Sequence, residues 1–185
     1  MKMRDTKGFT LIELLIVVAI IGIIAAIAVP GLLRARMAGN EASAIGSMRA
    51  VNSAELSYST SCAQGYAADL AELAKPPASG GQAFISPDLN AAAGASVIKS
   101  GYTIKYTATG AAIATADGSC TTAAFGGPKP WPSYELIGDP VSFNSSGSRN
   151  FGTSEQQTIY FVQAATSTPV TFASGIGVLP AAPLK

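Results

Sequence analysis

An uninterrupted apolar stretch near the N-terminus constrains this chain more than any other feature. The twenty residues from Leu14 to Leu33 carry no charged side chain. As an α-helix rising 1.5 Å per residue, they reach about 30 Å, which is the thickness of the hydrocarbon core of a bilayer. The first eight residues hold three basic side chains and one acidic side chain. A basic flank ahead of an apolar span predicts a membrane segment whose N-terminus is cytoplasmic and whose C-terminus lies outside.

Composition excludes several classes of function. The chain has no histidine, which removes Ser-His-Asp and Cys-His catalytic arrangements and every histidine-ligated metal site. Charged residues make up 12% of the chain and its net charge is +1, so it has no broad basic surface for nucleic acid. Its acidic residues are scattered, without the close cluster of oxygen ligands that calcium requires. We therefore expect no enzymatic activity, no metal, no cofactor and no specific nucleic-acid partner.

Three interpretations of the N-terminus compete at this point. A secretory signal would be cut after the Ala26-Ile27-Ala28 triplet, but the apolar region exceeds the usual length of about 7–15 residues. A plain signal anchor explains the span but not Glu13, because a carboxylate at mid-membrane costs roughly 2.5–3.5 kcal/mol. The third interpretation is the leader of a filament subunit precursor.

The residues from Lys7 to Leu15 favour this third interpretation, because they resemble the class III signal of type IV pilins and type II secretion pseudopilins. That signal has a short basic leader, a glycine before the cut, a phenylalanine after it and a glutamate four residues further on. The resemblance extends from Met1 to about Met37. It implies cleavage between Gly8 and Phe9 by an inner-membrane prepilin peptidase, followed by N-methylation of Phe9.

Glu13 has two candidate roles. Cleavage creates an ammonium group on Phe9, beside the positive end of the helix dipole, and a carboxylate one turn away offsets that charge. The resemblance implies that this carboxylate forms an assembly charge pair with the N-terminal amine of an adjacent subunit. Alternatively, Thr10 and Glu13 have the spacing of a capping box at the start of the helix. Both roles remain open, since each can apply at a different stage.

The helix is predicted to run well past the apolar span, from Phe9 to about Ser59, which is roughly 75 Å. Its second half is amphipathic, with Ile45, Met48, Val51 and Ala54 on one stripe and Leu56 and Tyr58 near the far end. Such a length also resembles the N-terminal helix of type IV pilins.

Gly22 and Pro30 lie within the apolar half of the helix. They predict a break or bend there, because proline lacks the N–H that would donate a hydrogen bond to the preceding turn. Such residues are often only tolerated bends in membrane helices. The resemblance instead implies that the stretch between them unwinds when the subunit leaves the bilayer.

The rest of the chain predicts an α+β fold in which the long helix packs on a small antiparallel sheet, as in pilins. We expect four parts: a cleaved leader over 1–8, a membrane and assembly helix over 9–33, an amphipathic half over 34–62 and a globular domain over 63–185. A short helix is expected over Tyr66–Ala74, a long loop over 76–100, and a C-terminal tail. Strands are predicted at Gly101–Thr107, Ser133–Ile137, Arg149–Phe151 and Thr158–Val162, with Ala111–Thr115 pairing back across the Thr109-Gly110 turn.

Cys62 and Cys120 are the only cysteines, so one intramolecular disulfide is possible. A compartment outside the membrane permits that bond, and we predict it. The alternative is two unpaired thiols that pack as small apolar side chains.

Two functions from different classes fit this sequence. The first is a type IV pilus subunit, with a type II secretion pseudopilin as the close alternative. The resemblance implies copies of the chain, a prepilin peptidase and methyltransferase, and an inner-membrane assembly platform as its partners. The subunit would sit in the inner membrane, with a periplasmic C-terminus, and then enter an extracellular pilus or a periplasmic pseudopilus. The second function is a membrane-anchored binding domain that never polymerises.

Overall fold

A computed structural model describes residues 8–61, 65–77, 80–113, 129–163, 169–178 and 180–184. The chain divides into an N-terminal unit, Met1–Arg36, and a C-terminal unit, Met37–Lys185. The boundary falls inside the first helix, α1, which runs over Leu11–Ser61. The predicted α+β class is confirmed, because this long helix is accompanied by an antiparallel sheet.

Helix α1 has two halves of different character. In the N-terminal unit every described residue from Gly8 to Arg36 is exposed. In the C-terminal unit the helix has a buried face with the three- and four-residue spacing of an amphipathic helix. The hydrophobic members of that face are Ala44, Met48, Val51, Ala54 and Tyr58. Most of the predicted stripe is therefore buried, whereas Leu56 is exposed and Ile45 is half-buried at the edge of the core.

The sheet has six antiparallel strands in the order β1-β2-β3-β4-β5-β8, so the first five strands follow one another as a meander. A separate hairpin pairs β6 with β7. The strands are β1 Ser96–Lys99, β2 Tyr102–Thr109, β3 Ser133–Pro140, β4 Asn150–Ser154, β5 Tyr160–Val162, β6 Phe172–Ala173, β7 Ile176–Gly177 and β8 Ala182–Pro183.

The core lies between the second half of α1 and one face of the sheet. Burial alternates along β3 residue by residue, as expected for a strand with one face on the core. Tyr102, Ile104 and Tyr106 of β2 join Tyr134 and Leu136 of β3 in one cluster with the buried face of α1. The predicted strands over β2, β3, β4 and β5 are confirmed.

The predicted hairpin after β2 is wrong. Within the described part of the predicted strand Ala111–Thr115, residues 111–113 form no strand. Instead β2 pairs with β1, which lies inside the expected loop over 76–100. Ser100 and Gly101 both have positive φ, which is the geometry of a tight two-residue hairpin turn. The sequence did not predict β1 because the strand has only four residues, which lie between this turn and an Ala-Gly-rich stretch.

Two further expectations need correction. The helix expected over Tyr66–Ala74 is only α2, Leu70–Leu73, because the Asp69 side chain accepts from the Glu72 N–H at 2.8 Å and caps it. Tyr66 instead forms an isolated β-bridge with Trp131.

The expected C-terminal tail contains β6, β7 and β8. It contributes to a second small core of Val162, Val170 and Ala181.

Candidate processing and assembly segment

The Gly8-Phe9 junction is open to an incoming protein. The Phe9 side chain is 82% exposed. A Cβ added at Gly8 would meet no atom within 4 Å, so nothing in the described part of the chain requires glycine there. A peptidase that approaches the backbone closely supplies a reason for glycine, because this residue has no side chain to obstruct it.

Glu13 and Thr10 form a reciprocal capping box at the start of α1. The Thr10 backbone N–H donates to Glu13 Oε2 at 3.0 Å, and the Glu13 backbone N–H donates to Thr10 Oγ1 at 3.3 Å. The Thr10 hydroxyl also donates to Glu13 Oε2. Thr10 is thus the N-cap and Glu13 the third helical residue, which explains why α1 begins at Leu11 and not at Phe9.

The cap leaves part of the Glu13 carboxylate available. Both hydrogen bonds from Thr10 go to Oε2, and none of the described residues donates a hydrogen bond to Oε1. Glu13 is therefore able to cap the helix through Oε2 and to pair with a cation through Oε1 at the same time. The assembly charge pair itself stays a prediction.

The first half of α1 presents an extended apolar surface. Judged by length and composition alone, α1 is able to cross a membrane. It is the one such helix among the described residues. A signal sequence near an N-terminus meets the same criterion. Monomeric soluble proteins rarely expose contiguous apolar surface on this scale. Its large exposed side chains are Leu11, Ile12, Leu14, Leu15, Ile16, Val17, Val18, Ile20, Ile21, Ile23, Ile24, Ile27, Val29, Leu32 and Leu33.

Neither Gly22 nor Pro30 interrupts α1, which continues through both residues. The expectation of a break in this conformation is therefore not met. An interior proline removes one hydrogen bond and crowds the carbonyl of the preceding turn, and the good helix formers on either side of it, leucine and alanine among them, preserve the helix around it. Unwinding between the two residues in a filament stays a prediction.

The remaining sequence-based predictions concern cysteines and metals. Cys62 and Cys120 lie outside the described residues, so their disulfide stays a prediction. Across the ranges that the structure describes, no group of three or more acidic or cysteine side chains could hold a metal ion.

A clamp between α1 and the segment before β4 was missed by sequence reasoning. Glu41 is 5% exposed and receives four hydrogen bonds. Its Oε1 accepts from Ser148 N and Oγ at 2.9 and 3.0 Å, while Oε2 accepts from Arg149 Nε and Nη2 at 2.9 and 2.6 Å. The Arg149 guanidinium also lies over the rings of Phe151 and Phe161.

The Glu41 carboxylate of this clamp is kept ionised by its surroundings. Burial acts to raise the pKa of Glu41, but the hydrogen bonds from Ser148 and Arg149, together with the guanidinium charge, outweigh it and hold that pKa below its ordinary value. A sequence signal was present, because Glu41 stands three residues before Ala44 and seven before Met48 on the buried face.

Comparison with known proteins locates the similarity at the N-terminus. The sequence profile of the prokaryotic N-terminal methylation motif matches residues 3–29. The type IV wide pilus major component PilA4 of Thermus thermophilus is 64% identical over 39 residues, which are 21% of this chain and 30% of that protein. The type IV major pilin protein PilA of Myxococcus xanthus is 46% identical over 52 residues, 28% of this chain and 24% of the relative.

A fimbrial protein of Pseudomonas aeruginosa is 79% identical over 28 residues, which are 15% of this chain and 18% of that protein. The chain therefore spans less than a third of the length of each relative. No solved structure matches it significantly. The N-terminal segment of this chain is therefore similar to the prokaryotic N-terminal methylation motif and to the N-terminal segments of these type IV pilins.

Proposed function

We propose that this chain is a structural, non-catalytic subunit of a type IV pilus. The observation that carries the proposal is a wholly exposed, charge-free apolar helix directly behind an open Gly8-Phe9 junction and Glu13. The relatives named as pilus components support it. In this proposal a prepilin peptidase removes residues 1–8, and a methyltransferase modifies the new terminus on Phe9.

Before assembly the apolar half of α1 anchors the subunit in the inner membrane, with its C-terminus in the periplasm. An assembly platform in that membrane then transfers the subunit to the filament. The side chains that faced lipid pack against the helices of other copies, so the apolar surface never faces water. The C-terminal units form the outer part of the filament.

Charge pairing sets the axial position of an incoming subunit in this proposal. The Glu13 carboxylate is costly in lipid-like surroundings unless it is paired. The amine of Phe9 in a neighbouring copy supplies the cation, and Oε1 accepts it while Oε2 keeps its hydrogen bonds to Thr10. An unpaired carboxylate therefore disfavours a wrongly placed subunit.

Deleting the gene tests this function against its alternatives. We expect the deletion strain to lose surface filaments by electron microscopy, to regain them with the wild-type gene, and to keep normal secretion of exoproteins. Retained filaments with exoproteins trapped in the periplasm would instead identify a secretion pseudopilin. Unchanged filaments and unchanged secretion would favour an anchored binding domain that does not polymerise.

A further inference from the structure

A buried acid joins three parts of the C-terminal unit. Glu55 lies on α1 with 0% of its surface exposed. Its Oε2 accepts the Ala67 backbone N–H at 3.0 Å, and its Oε1 lies 2.6 Å from the Tyr106 hydroxyl oxygen. The same Tyr106 oxygen lies 2.8 Å from the Ala67 carbonyl oxygen. Helix α1, the segment before α2 and strand β2 thus meet at this carboxyl group, which we call the Glu55 joint.

The Glu55 joint lacks one hydrogen when Glu55 is ionised. The Tyr106 hydroxyl has one hydrogen but faces two acceptors, Glu55 Oε1 and the Ala67 carbonyl. With Glu55 ionised, one of these two short contacts has no hydrogen between its oxygens. With a proton on Oε1, Glu55 donates to the Tyr106 oxygen and Tyr106 donates to Ala67. Every polar atom is then satisfied, which matters because an unsatisfied buried group is costly.

The neighbouring polar groups do not supply the missing hydrogen. The Tyr134 hydroxyl donates to Asn52 Oδ1 at 2.9 Å, and Asn52 Nδ2 donates to Thr153 Oγ1 at 3.0 Å. These groups form a separate chain of bonds that is complete without Glu55.

We propose that the Glu55 joint is a proton-dependent contact between α1 and β2, which is closed when Glu55 is protonated and weakened when that proton leaves. The joint holds α1 against β2 inside the C-terminal unit, so its opening destabilises that unit directly.

The charges around the joint support this assignment. The titratable groups that interact electrostatically with Glu55 or with its tyrosine neighbours are Tyr66 and Asp69 from the segment before α2, Tyr106 of β2, Tyr134 of β3 and Glu155 just beyond β4. All are acids, so none stabilises a carboxylate, and no ion pair among the described residues includes Glu55. Burial raises the pKa of Glu55 to about 7, although hydrogen bonds from Tyr106 and Ala67 act in the opposite direction.

The sign of the pH dependence follows from this raised pKa. The stabilisation is fully present below the unfolded pKa of 4.5 and is lost as the pH rises through about 7. No histidine titrates in this range. The raised pKa values of Tyr66, Tyr102, Tyr106 and Tyr134 keep those groups neutral throughout it.

The first measurement uses the full chain in detergent micelles, unfolded by denaturant and followed by the fluorescence of Trp131, its single tryptophan. From about pH 5.5 to about pH 8.5 the unfolding equilibrium constant should rise roughly 30-fold. A flat profile, or a constant that falls with pH, would overturn the proposal.

Glu55→Gln provides the matched variant, because a carboxamide donates to Tyr106 as a protonated acid does but cannot ionise. It should remove the pH-dependent rise. Glu135→Gln is the control, since burial and Glu155 also raise the pKa of Glu135. This variant removes the part of the rise that Glu135 contributes, and most of the rise should remain because Glu55 is intact. A Glu55→Gln profile identical to wild type would contradict the proposal.

A second readout does not depend on how well the variant folds. Carboxyl ¹³C NMR of the glutamate-labelled wild-type chain should show a resonance that titrates near pH 7 and is still present in Glu135→Gln. The opposite result is that every remaining glutamate of the Glu135→Gln chain titrates below about pH 5, close to the ordinary value. Glu55 is then ionised in the folded chain at neutral pH, and the proposal fails.

Discussion

Replacing Glu13 with alanine should abolish filaments, or make them sparse, while cleavage between Gly8 and Phe9 continues. In the proposed function the peptidase acts at the Gly8-Phe9 junction, which the substitution leaves intact, whereas assembly requires the Glu13 carboxylate to pair with the amine of Phe9. Electron microscopy of cells gives the filament yield. An immunoblot that separates the precursor from the mature chain gives the extent of cleavage.

Thr10→Ala is the matched control, because it removes the hydroxyl of the capping box but leaves the carboxylate. Loss of an N-cap costs about 1 kcal/mol, which a helix of this length tolerates, so filaments should persist. Normal fibres with Glu13→Ala would contradict the charge pair and leave Glu13 as a cap. Equal loss of fibres in both variants would assign the defect to the start of the helix.

Arg149→Ala should lower the free energy of unfolding of the C-terminal unit by about 3 kcal/mol, because it leaves the buried carboxylate of Glu41 without its cation. The variant also loses the contacts of the guanidinium with the Phe151 and Phe161 rings. Denaturant unfolding followed by Trp131 fluorescence measures the change.

Two further variants sharpen this test. Arg49→Ala, an exposed arginine on the same helix, should change the free energy of unfolding by less than about 0.5 kcal/mol. Adding Glu41→Gln to Arg149→Ala should recover part of the loss, since a neutral carboxamide needs no cation. A change below about 1 kcal/mol for Arg149→Ala would mean that Glu41 is adequately solvated without the clamp.

Local features of this chain were predictable, because they are encoded within a few residues. The apolar span, the spacing of Thr10 and Glu13, and the alternation along β2 and β3 each identify their own element. The structure confirms these elements to within a few residues at their ends.

Long-range polar contacts were not predictable in the same way. Glu41 and Glu55 look like solvated charges in the sequence, but their partners Arg149 and Tyr106 stand 108 and 51 residues away. The burial of these two acids was predictable, although their partners were not. The spacing of three and four residues along the buried face of the helix includes both of them: Glu41, Ala44, Met48, Val51, Glu55 and Tyr58. Two acids on an apolar stripe indicate buried, satisfied carboxyl groups.

The short strands were missed for a different reason. Strand β1 has four residues, and β6, β7 and β8 have two each, so none contains enough alternation to separate it from a loop. Their positions depend on neighbours already in the sheet and not on their own composition.

Mass spectrometry of the subunit in filaments sheared from the cell surface tests the central claim most directly. We expect a mature chain of 177 residues, 185 minus the 8 of the leader, that begins with N-methylated Phe9. A chain that begins at Met1, or at Val29 after cleavage behind Ala28, would contradict it, and so would filaments that lack this chain.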